Sequence, residues 1–173
     1  MKITKEYKGI TRKENGDYYI FGSIETDEDI EIELDDRLEV EGSIVSEKSI
    51  ISNNTLVARD NIKAGRYIEA GRGITAGRVI AAGWSIEAGR SIVAGWSIVA
   101  GWSIVAGDVI MAGMEIRAGE YIDCGLRIFA GTSIYDSDAK AQKTISCAEL
   151  RNGQIAYGEL VITGDGGKER KEK

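Results

Sequence analysis

Apolar positions recur along this chain with a period of six. Isoleucine occupies Ile68, Ile74 and every sixth position through Ile134, twelve in all. Glycine stands three residues before each of them, from Gly65 to Gly131. Alanine precedes every one of these glycines except at Cys124. The phrase reads I-x-A-G-x-x, and a fixed period of this kind specifies a stacked architecture before any propensity is weighed. Side chains of an extended segment alternate with period two, so the isoleucine and the alanine two places later share a face. Glycine then lets the chain bend with φ > 0 or pass close to another backbone. A helix would need apolar spacings of three and four, and glycine every sixth residue would cost it about 1 kcal/mol each time. The pattern predicts an all-β fold, a single-stranded β-solenoid capped at both ends, and leaves its handedness open.

Three hexapeptides per turn, eighteen residues, give a triangular coil. That period stacks Arg66, Trp84, Trp102 and Glu120 in one column and Arg72 with Arg90 in another. It also stacks Tyr67, Ser85, Ser103 and Tyr121, and places Glu69, Glu87 and Asp123 in a column interrupted by Val105. Upstream, Ile32, Leu38, Ile44, Ile50, Leu56 and Ile62 keep the six-residue phase without the alanine–glycine pair. The predicted organisation is an acidic N-terminal β cap over 1–39, the solenoid over 40–135, a C-terminal β-hairpin cap over 136–163 and a disordered charged tail over 164–173. The hairpin is read from two strand-like runs, 144–150 and 154–162, separated by Arg151-Asn152-Gly153. Proline is absent, which suits uninterrupted ladder hydrogen bonding.

Charge is unevenly placed. The net −6 of the chain lies in residues 1–63, which carry fifteen acidic and nine basic side chains. Residues 25–41 alone hold ten Asp and Glu against Arg37. An acidic balance argues against direct nucleic-acid binding. No apolar run is long enough to span a membrane, and the expected location is cytoplasmic. Cys124 fills an alanine slot and reads as a small buried thiol.

The repeat resembles the hexapeptide β-solenoids, best known from the left-handed β-helix acyltransferases with their [LIV]-[GAED]-x-x-[STAV]-x phrase. Here the small residue follows isoleucine by two, so the likeness is to the architecture over 40–135. The A-G-x-S-I-x phrase also resembles uncharacterised glycine-rich repeat proteins of Gram-positive bacteria and their phages. It is similar too to bactofilins, whose triangular β-helical core polymerises head to tail.

Candidate chemistry is sparse. The chain has no histidine, which removes the general base of the hexapeptide acyltransferases and the zinc ligands of the related carbonic anhydrases. Gly71-Arg72-Gly73 belongs to the coil period, and no Gly-Lys-Ser/Thr follows, so it is not a phosphate loop. No catalytic residue, metal site or cofactor is predicted. Two sets of side chains are candidates for binding. Arg66, Arg72, Arg78, Trp84, Arg90, Trp96 and Trp102 follow repeat glycines and should point outward at corners; Trp and Arg are enriched at interface hot spots. The same residues could instead pack on one another as a cation–π and aromatic ladder. Asp27, Glu28, Asp29, Glu31, Glu33, Asp35 and Asp36 form the acidic surface, with Ile30, Ile32 and Leu34 turned inward. The expected function is a non-enzymatic protein-binding or structural module. The alternatives are a phage-type inhibitor that blocks a nucleic-acid enzyme through acidic residues, and a bactofilin-like filament former. A protein partner or self-association is expected, and no membrane contact.

Overall fold

The computed structural model describes residues 1–132, 143–164 and 169–171. Short parallel strands wind into a three-sided coil with eight rungs on each side. Among the described residues the first face begins with Tyr18–Ile20, the second with Ile24–Thr26 and the third with Lys2–Ile3, which pairs parallel with Ile30–Ile32. Each later strand lies on the strand one turn before it: Ile74 on Leu56, Ile80 on Ile62 and Ile86 on Ile68. The spacing in these pairs is eighteen residues. Among the described residues no helix is long and apolar enough to cross a membrane.

The core follows from the phrase. Every repeat isoleucine from Ile68 to Ile128 is fully buried, and the alanines beside them are nearly so. Like side chain sits on like, Ile62–Ile80–Ile98–Ile116 on the second face and Ala64–Ala82–Ala100–Ala118 beside it. Cys124 continues the alanine rank and is buried.

The glycines serve close approach rather than reversal of the backbone. None from Gly65 to Gly125 has a positive φ. A Cβ placed on Gly101 would meet the Gly83 carbonyl carbon, one turn below, at 3.0 Å and its oxygen closer still. Gly83 stands in the same relation to Gly65, and Gly119 to Gly101. The corners themselves are laddered: the Trp84 N–H donates to Arg66 O at 2.9 Å and the Trp102 N–H to Trp84 O at 2.7 Å.

The register corrects four expectations. First, parallel pairing reaches back to Tyr18, which lies under Leu38 twenty residues on. The N-terminal turns are two residues longer because the corner after Ile32 is enlarged: Ile30, not Ile32, stacks on Ile50, and Ile32 takes the slot of Ser52. Asn53 and Asn54 hold that corner, accepting from the Leu34 N–H at 3.1 Å and donating to Asp35 O at 2.9 Å. Second, the place above Ile116 is filled by Ile145, twenty-nine residues on; Ile134, the residue that the six-residue period puts there, and residues 136–142 lie outside the described residues.

Third, Arg151-Asn152-Gly153 does not turn a hairpin. Glu149–Tyr157 is one bent strand that adds a further parallel rung to the third and first faces, on Tyr121–Ala130. Gly153, with φ of 113°, lies within it, among irregular pairings. Glu159–Thr163 adds the last parallel rung of the second face. Fourth, the tail is not wholly unstructured: Glu169–Lys171 pairs antiparallel with Val161–Thr163. At the other end Ile10–Arg12 pairs antiparallel with Tyr18–Ile20.

A mid-coil isoleucine is thus packed from both sides along the coil axis. Ile98→Ala should lower unfolding stability by about 2–5 kcal/mol, read from the denaturation midpoint; an unchanged midpoint would contradict the stacked core.

Candidate functional site

The side chains singled out at the corners divide among three edges of the coil. Arg66, Trp84 and Trp102 share the edge between the second and third faces. Arg78 and Trp96 lie between the first and second faces, and Arg72 and Arg90 between the third and first. Backbone bonds fix each column: Trp96 N–H to Arg78 O at 2.9 Å, and Arg90 N–H to Arg72 O at 2.7 Å. The seven residues therefore form no single surface.

The second–third edge is the most developed. Trp84 and Trp102 are stacked, centroids 5.6 Å apart and planes 11° from parallel. The Arg66 guanidinium lies 5.7 Å from the Trp84 ring centroid, and Tyr67 meets Trp84 edge-on at 5.0 Å. The self-packing ladder is real, and it coexists with exposure: Trp84 is 38 % and Trp102 52 % exposed. Beside it, the outward residues of the third face run Glu69, Glu87, Val105 and Asp123 in register. On the first–second edge Arg78 covers Trp96 at 5.3 Å, and Trp96 is 50 % exposed.

Four of the seven carboxylates of the acidic surface pair with a positive charge of the chain itself. Lys2 pairs with Glu33 at 2.7 Å, Arg12 with Asp36 at 3.8 Å, and the Met1 ammonium with Glu28 at 3.4 Å. The Ser49 N–H donates to Asp29 Oδ1 at 2.9 Å. Asp35 accepts from Lys5 Nζ at 2.8 Å and from the Tyr18 hydroxyl at 2.6 Å. Those two bonds, Lys5 first, hold the Asp35 carboxyl down at about 2. Asp27 and Glu31 have no side-chain partner among the described residues. Ile30, Ile32 and Leu34 are buried and Glu31 and Glu33 exposed, as the alternation requires.

Among the described residues no three His, Cys, Asp or Glu side chains are gathered as a metal site would need. Both cysteines are free and buried, and burial pushes the Cys147 thiol up to about 11 and that of Cys124 upward too. Thiols so held are poor nucleophiles at neutral pH.

A column that the corner reading passes over lies on the first face. Its outward residues are Val57, Thr75, Val93, Met111 and Phe129, five successive rungs without a charge. The signal is present in the sequence, as the residue after the apolar position in every third hexapeptide.

No family model matches this chain, and neither a curated protein nor a solved structure is similar to it at a meaningful level.

Asp35 has a depressed folded-state pKa, so its contribution is present above the ordinary carboxylate value and lost as pH falls toward about 2. The difference in melting temperature between the native chain and Asp35→Asn should be constant from about pH 7 to 5 and close between about pH 4 and 2. A difference that persists at the acid end would remove this carboxylate from the account.

Proposed function

We propose that this chain is a non-enzymatic β-solenoid that works as a rigid protein-binding module. The patch that meets the partner is the second–third edge, built on Arg66, Trp84 and Trp102. The observation that carries the reading is the pairing of order with exposure there: two tryptophans held parallel by their own stack, each with a third or more of its surface open. Binding that uses already-ordered aromatics loses little side-chain entropy, and Trp and Arg are the commonest energetic anchors of protein interfaces. The absence of histidine supports leaving catalysis out. Two unpaired buried thiols suit a reducing compartment, which in this reading is the cytoplasm.

The acidic-inhibitor alternative draws less support, because five of the seven carboxylates proposed for it have partners in the chain. The filament alternative is disfavoured by the antiparallel strands at the two ends, Ile10–Arg12 and Glu169–Lys171. End-on growth of a parallel coil needs parallel edges.

Trp84→Ser together with Trp102→Ser should abolish capture of the partner from a host lysate and leave the melting temperature nearly unchanged. Capture by the native chain should persist at high salt, where charge-driven binding fades. A double variant that loses its fold while its folded fraction still binds would return the ladder to a purely structural role.

A further inference from the structure

We propose that the first face is a self-complementary interface, through which two copies of this chain pack face to face with their coil axes antiparallel. Its outward column is graded in size. Val57 and Thr75 are small, Val93 is central, and Met111 and Phe129 are large. A two-fold axis running along the strand of Val93 sets Phe129 against Val57, Met111 against Thr75, and Val93 against Val93. On either side of the axis a small rung then meets a large one, with Val93 on Val93 between them. With the coil axes parallel, Phe129 would meet Phe129 and Thr75 would meet Thr75, and the faces would splay.

The rims agree with the same arrangement. Along the third–first edge Arg72, Arg90 and Asp108 follow one another rung by rung. The two-fold sets Arg72 of each copy against Asp108 of the other, and brings the two Arg90 like charges together at the axis, each one rung from its own Asp108, a repulsion that the two Arg72–Asp108 pairs must outweigh. On the other rim Trp96, half exposed, lies at the level of Val93 and meets its own copy. Parallel axes would instead bring Arg72 against Arg78. About seven rungs overlap around that axis, with Glu39 at one end of the column opposite Tyr157 at the other; at about 4.8 Å per rung and a face about 15 Å wide they bury roughly 1,000 Å² in total. That is the lower range of specific interfaces, and it implies a dimer that dissociates in the micromolar range, about 1–100 µM.

The edge between the second and third faces is opposite the first face in a three-sided coil. A dimer built this way leaves both Trp84–Trp102 ladders outward, on opposite sides of the particle. The dimer does not depend on what those ladders bind, so the two proposals fail separately.

Sedimentation equilibrium of the native chain over roughly 1–200 µM should show a monomer–dimer equilibrium. Val93→Arg puts two like charges at the axis and should weaken the dimer about tenfold or more, with the melting temperature and circular dichroism preserved. Thr75→Lys and Met111→Glu should each weaken it, and the double variant should restore it, since each lysine then faces a glutamate of the other copy. A monomer at every concentration, or a dimer indifferent to Val93→Arg, would overturn the interface. A double variant no stronger than the singles would overturn the antiparallel register. Should Val93→Arg fold poorly, Thr75→Lys and its rescue carry the test alone.

Discussion

The coil depends on how closely one corner lies over the next. The repeat glycines from Gly65 to Gly107, and again Gly119 and Gly125, hold their α-carbons against a carbonyl one turn below, where no Cβ fits. That approach lets successive corners hydrogen-bond directly, Trp102 to Trp84 and Asp108 to Arg90 at 2.7 Å. It also sets each isoleucine squarely on the isoleucine eighteen residues earlier. Loosen the corner and the ranks lose their register. The hydrophobic column supplies the driving force, but the corner decides that the column is straight. At the enlarged corner after Ile32, Asn53 and Asn54 from the next turn bond to Leu34 and Asp35, and the turn through that corner is two residues longer.

The repeat was legible wherever that corner chemistry is uniform. From Leu38 to Ile128 the phase, the inward faces and the eighteen-residue stacking follow from spacing alone, down to the Arg66–Trp84–Trp102 column. Legibility fails where residues are inserted. The longer corner at 33–37 is invisible to a six-residue count, because Ile32 lies in phase with Leu38 by coincidence of the alternating strand. The pairing of Ile145 with Ile116 escapes the count for a similar reason: periodicity names the next isoleucine, whereas packing needs only a residue that can reach the slot. At Arg151-Asn152-Gly153 the local signal was a turn, but an open parallel edge on Tyr121–Ala130 offers ladder bonds along most of the strand, and tertiary pairing overrides the propensity.

The candidate site was legible residue by residue and not as a surface. Spacing from glycine correctly places seven Arg and Trp side chains at corners, yet successive hexapeptides belong to successive corners. Only every third member of such a list shares an edge, so Trp96 is parted from Trp84 and Trp102 although it lies between them in sequence. Reading the same chain modulo eighteen separates three edges and three faces, and the uncharged column from Val57 to Phe129 emerges from that reading.

Longitudinal and lateral association draw on different parts of such a prism. Addition at an end requires bare strands running in the coil direction, and here Ile10–Arg12 at one end and Glu169–Lys171 at the other each turn the direction round on one of the three sides. The charged pairs around residues 2–36 also keep that end hydrated. Lateral association needs only a broad side with side chains it is favourable to dry. The second face is interrupted by Lys63 and Arg117, and the third by Glu31, Glu69, Glu87 and Asp123. Burying any of these without a partner would cost more than the surrounding apolar contact returns. Among the described residues the first face runs from Val57 to Phe129 without that penalty, so it is the placement of charge, rather than of hydrophobic residues, that makes this side the least costly to dry.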